Sequence, residues 1–62
     1  MTAQEFIRLL EQEQINIVTL KICYDDDSTR KTFRGWFVWL MTEQYDVSRY
    51  VASKAADHFG IK

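Results

Sequence analysis

The sequence predicts an α+β domain in the order α-β-β-α, a two-stranded antiparallel hairpin flanked by two helices. Three observations carry that expectation. The two ends of the chain show helix-start signals followed by apolar residues at helical spacing. Residues 15–24 and 29–41 are rich in β-branched and aromatic types and alternate apolar with polar over much of their length. Between them lies a polar run, Asp25-Asp26-Asp27-Ser28, of hairpin-loop length.

The first helix is placed at 3–13. Thr2 and Glu5 have the spacing of a capping box, and Met1 with Phe6 that of a hydrophobic staple. Phe6, Leu9, Leu10 and Glu13 give one face, with Ala3 and Ile7 beside it.

The hairpin register follows from its faces. A four-residue loop at 25–28 sets Tyr24 against Thr29, Ile22 against Lys31, Leu20 against Phe33 and Val18 against Gly35. Val18, Leu20, Ile22 and Tyr24 then share a core face with Phe33, Gly35, Phe37 and Trp39. A slip by one residue would set Leu20 against Thr32 and Val18 against Arg34, so the first register is preferred. Gly35 falls on the core face, where a strand glycine implies that a neighbour uses the space.

The last helix begins at Asp46 as N-cap, with Tyr45 and Tyr50 as a second staple. Val47, Val51, Ala55 and Phe59 form its stripe. Gly60 stands where a C′ glycine would close it, with Ile61 reaching back to Ala56. The run 51–61 echoes the first helix and turn of a helix-turn-helix motif. No recognition helix follows before Lys62, so a helix closed by glycine is the expectation.

At 62 residues the chain is one domain, 1–62, and a lone core of that size is marginal. Small domains use a disulfide, a metal or self-association to compensate. Cys23 is the one cysteine and His58 the one histidine, which excludes an intrachain disulfide and argues against a closed zinc site. The net charge of −1 gives no global field toward nucleic acid or membrane. No long apolar run and no signal-peptide pattern is present, so a cytoplasmic setting without membrane contact is expected.

Catalytic chemistry finds no constellation. Asp25, Asp26 and Asp27 are consecutive and lack the alternate spacing, central glycine and terminal glutamate of a calcium loop. Cys23 and His58 lack a third orienting group. No glycine-rich phosphate loop exists. The reading is a non-enzymatic protein with no metal or cofactor.

What remains is the open face of the hairpin. Near its tip lie Lys21, Arg30, Thr32, Arg34 and Trp36, read as the partner-binding set, since arginine and tryptophan dominate interface hot spots. Toward its base lie Ile15, Ile17, Trp36, Val38 and Leu40, an apolar patch read as a homodimer interface. The leading expectation is an interaction module, inhibitor or adaptor, of the kind common in phage and mobile elements, acting on a protein partner. One alternative is a nucleic-acid-binding accessory protein using the Arg/Lys/Trp face. Another is a homodimeric structural subunit. If the hairpin face fails, the helix surface around Arg49, Ser53 and Lys54 is next.

Overall fold

The computed structural model describes residues 1–27 and 29–62. It corrects the fold class. Among the described residues there are four helices and no strand: α1 (Ala3–Gln12), α2 (Ile17–Asp27), α3 (Phe33–Tyr45) and α4 (Arg49–His58). Both hairpin segments are helical. The expected α+β domain is therefore a small all-α fold. Of the expected hairpin tip, Asp25, Asp26 and Asp27 end α2, while Ser28 lies outside the described residues.

Helix α1 starts as its sequence predicts. The Glu5 backbone N–H donates to Thr2 Oγ1 at 3.1 Å and the Thr2 backbone N–H to Glu5 Oε1 at 3.0 Å, completing the capping box. These bonds, the Thr2 backbone N–H foremost, hold the Glu5 carboxyl below its ordinary value. The helix stops in a Schellman arrangement without glycine. Gln14 takes a left-handed φ of 57°, and the Gln14 and Ile15 N–H groups bond back to the Glu11 and Leu10 carbonyls.

Helix α2 begins at an Asx cap. Asn16 Oδ1 accepts from the Val18 N–H at 2.9 Å and the Thr19 N–H at 3.2 Å. Its inward residues, Ile17, Leu20 and Tyr24, follow helical spacing and pack against the core. Val18 and Ile22, assigned to the core by alternation, are 70% and 57% exposed. No residue of α2 is fully buried. The Tyr24 ring holds it to α3, 5.6 Å from Phe33 and 5.8 Å from Trp36.

Helix α3 explains why 36–41 is apolar in both strand phases. A helix that is apolar nearly all round is a central one. Trp36, Phe37 and Met41 are buried, and Phe33, Val38 and Leu40 pack against the core. Thr32 is its N-cap, accepting from the Gly35 N–H at 3.0 Å. Gly35 is thus an exposed first-turn residue, and a Cβ there would meet only Thr32 Oγ1, at 3.0 Å. The space expected opposite Val18 does not exist.

Asp46 is the C-cap of α3, with φ 54° and ψ 41°, and not the N-cap of the last helix. That cap is Ser48, whose Oγ accepts from the Val51 N–H at 3.2 Å. Along α4 the buried residues are Val51, Ala52, Ala55 and Ala56, and Tyr50 points outward, 67% exposed. Alanine on this face lets α3 and α1 approach α4 closely, and these are the two most extensive helix pairings. Gly60, with φ 75°, closes α4, and the Ile61 N–H bonds to the Ala56 carbonyl at 2.9 Å as expected. The core is Phe6 and Leu10 of α1, Trp36, Phe37 and Met41 of α3, the buried face of α4, and Ile61. Among the described residues no helix is long and apolar enough to cross a membrane.

Candidate anion-binding groove

With the sheet gone, the residues once grouped on its open face separate. Lys21 lies on α2, pairs with Asp25 at 2.9 Å and sits 4.9 Å over the Tyr24 ring. Trp36 is 9% exposed and belongs to the core. Ile15, Ile17, Val38 and Leu40 are partly buried against that same core. The alternation that grouped them as one outward patch was a strand property, and it disappears with the strand. Arg30, Thr32 and Arg34 stay together for a different reason: they flank the start of α3.

These three residues line a broad open groove of about 1080 Å³. It runs from the segment before α3, along that helix to Thr42, and is bounded by the first turns of α4. The spacing on α3 is helical: Thr32, Gly35, Val38 or Trp39, and Thr42 succeed one another at steps of three or four residues. Arg49, Tyr50 and Ser53 contribute from α4 by the same spacing. Strand alternation singles out none of Lys31, Trp39 and Tyr50 as lining residues. A 3.6-residue phase started at Thr32 would have found Trp39.

The charge of the lining is one-sided. Arg30, Lys31, Arg34 and Arg49 are four of the chain's eight Lys and Arg residues, and among the described residues no carboxylate lines the groove. Their states differ. Arg34 is held as a structural group. Its Nη1 donates to the Ile61 carbonyl at 2.8 Å and pairs with Asp57 Oδ1 at 2.8 Å. Its Nη2 donates to Ser53 Oγ at 2.7 Å. Arg30 lies 4.9 Å over the Trp39 ring, which is itself 40% exposed. Lys54 sits 5.5 Å from the Tyr50 ring at the margin. Among the described residues the ion pairs are Lys21–Asp25, Arg34–Asp57 and Glu11–His58, and Lys31 and Arg49 belong to none.

Helix polarity adds to this field. The groove meets the N-terminus of α3 at Thr32 and that of α4 at Ser48 and Arg49. Both ends carry partial positive charge. Neither helix has an acidic residue in its first turn, and each has an arginine there. Helix stability alone favours the opposite arrangement, by about 0.3–1 kcal/mol per charge. Helix α1, away from the groove, follows the stabilising rule with Glu5.

Chemically the groove offers cations, hydroxyls and two exposed aromatic side chains. Among the described residues no cluster of metal-ligating side chains occurs. Comparison with known protein families, curated proteins and solved structures finds no match.

Proposed function

We propose that this chain is a non-enzymatic binding module that takes nucleic acid in the α3–α4 groove. The observation that carries this reading is the charge segregation. A chain of net charge −1 gathers four of its eight cations, Arg34 among them paired with Asp57, around one open groove that no carboxylate lines among the described residues. Trp39 and Tyr50 line the same groove as exposed aromatic side chains, with Arg30 over the first ring and Lys54 near the second, and suit ribose and base contact. The shape supports a polymer better than a small ligand, because the groove is open along its length and small-molecule sites enclose most of their ligand.

The test is titration of a fluorescent oligonucleotide at several salt concentrations. Lys31, Lys54 and Arg30 supply about three phosphate contacts, so log K against log[salt] should fall with a slope of about −3. Replacing Lys31 and Lys54 together by alanine should reduce that slope by about 2. No binding at low salt, or a slope unchanged by these substitutions, would refute the reading. Binding of an acidic protein in place of nucleic acid would reassign the groove.

A further inference from the structure

We infer that α3, the turn at 46–48 and α4 form a helix-turn-helix unit, with α4 as the helix that enters the major groove of duplex DNA. This rests on the reading of the groove as a nucleic-acid site and names its ligand form. The motif places two helices across a turn of three or four residues, often through a residue with left-handed backbone. Here the turn is Asp46, Val47 and Ser48. Asp46 supplies the left-handed conformation, at φ 54° and ψ 41°, a region that aspartate tolerates better than most residues. Val47 packs into the core and fixes the turn. Ser48 then caps α4.

Four features of α4 fit a reading helix. Its inner face, Val51, Ala52, Ala55 and Ala56, is buried, so its outer face is held rigidly outward. The exposed residues of its N-terminal half are Arg49, Tyr50 and Lys54, the half that contacts base edges in this motif. Charge is graded along the helix. Arg49 and Lys54 come first, and Asp57 follows, turned to Arg34. A helix of about 10–12 Å diameter fits a major groove about 12 Å wide. The start of α3 then faces the backbone, where Thr29, Arg30, Lys31 and the helix N-terminus suit phosphate. Single-stranded ligands would use the same cations, but would rest on Trp39 and Tyr50 by stacking, with no need for the turn.

The deciding experiment enriches binders from a random-sequence duplex pool using the whole chain, then titrates the enriched duplex, a scrambled duplex and each single strand. The expected result is a preferred run of about four or five base pairs, the length a 15 Å helix spans at 3.4 Å per step. The duplex should bind at least about 10-fold tighter than its strands. Arg49→Ala should lose about 5- to 150-fold on the enriched duplex and little on the scrambled one, as for a lost bidentate base contact. Lys31→Ala should weaken both duplexes equally, as for a phosphate contact. Arg49 and Lys31 are exposed, so both variants should melt like the wild type. Tighter binding to single strands, no enriched sequence, or an Arg49→Ala loss that is equal on all duplexes would overturn the docking while leaving the groove as a nucleic-acid site. Absence of binding to any of these would overturn both.

Discussion

Arg34 should be among the largest single polar contributors to the stability of this domain, and its removal is worth following in detail. The guanidinium leaves the first turn of α3 and ties down the far end of α4. It donates to the Ile61 carbonyl at 2.8 Å and to Ser53 Oγ at 2.7 Å, and pairs with Asp57 at 2.8 Å. A fourth contact, to the Ser53 carbonyl at 3.3 Å, is longer and weaker. Hydrogen bonds from a charged donor contribute about 1.5–3 kcal/mol each. The Arg34 side chain is 30% exposed, so the lower end applies to the two short ones. The Asp57 carboxylate is 58% exposed, and such a pair contributes about 0–1 kcal/mol. Arg34→Ala should therefore cost about 3–4 kcal/mol. At about 0.05–0.15 kcal/mol per residue, a chain of this size has about 3–9 kcal/mol in total. The variant would sit near the edge of folding.

Lysine tests the geometry. It keeps the charge but is a point donor, without the fork that reaches Ile61, Ser53 and Asp57 at once. Arg34→Lys should recover about half the loss. Urea unfolding followed by far-ultraviolet circular dichroism gives both values. Salt separates the contributions, because 1 M NaCl screens the Asp57 pair and leaves the carbonyl and hydroxyl bonds. Wild-type stability should fall by less than about 1 kcal/mol on that addition. An Arg34→Ala protein within about 0.5 kcal/mol of wild type, indistinguishable from Arg34→Lys, would refute the structural role. It would also return Arg34 to the binding face, where a charge reversal would leave the fold intact.

Ile22→Glu should change stability by no more than about 0.5 kcal/mol, since Ile22 is 57% exposed on α2. A loss above about 2 kcal/mol in urea unfolding would mean that Ile22 is a core residue, as the hairpin required. Tyr45 concerns pH. Its hydroxyl donates to Glu13 Oε1 at 2.6 Å, joining the ends of α3 and α1, and this bond with partial burial pushes its pKa up to about 12. The raised folded value means that the neutral tyrosine stabilises the fold. That contribution is complete below the unfolded value of about 10 and is lost as pH rises toward 12. Tyr45→Phe keeps the edge-to-face contact with Phe6, at 5.2 Å, and should flatten this part of the stability profile. Urea midpoints of the two proteins between pH 9 and 12 that fall in parallel would refute the linkage.

Both chain ends were legible because their caps are local chemistry. Thr2 with Glu5, and Gly60 with Ile61, each satisfy backbone groups within a few residues, so no tertiary contact is needed to read them. The middle was misread because period-2 and period-3.6 patterns overlap in short apolar runs. In 15–24, Leu20 and Tyr24 satisfy both periods, and the β-branched Ile17, Val18 and Ile22 weighted the choice toward strand. In 36–41 the ambiguity is deeper, since this middle of a central helix is apolar in every phase. Two signals would have decided for helix. One is length, because 13 residues suit a helix better than a strand of a small hairpin. The other is the pair of caps, Asn16 before α2 and Thr32 before α3, each a good N-cap type ahead of an apolar run.

The site follows the same logic. The basic residues around 30–34 were legible as a cluster because they are neighbours in sequence, whatever the backbone does. Their partners were not, because the neighbours that strand alternation assigns differ from those that helical spacing assigns. In the helix, Arg34 turns toward α4 and becomes structural, and Trp39 and Thr42 come into line with Thr32. The far wall depends on Asp46. A strain-free extended residue at that position would carry Arg49 and Tyr50 away from α3, whereas its left-handed φ of 54° folds them back beside it. One backbone conformation at a non-glycine residue thus decides whether the cations of α3 and α4 share a groove, and no residue-type pattern around position 46 announces it.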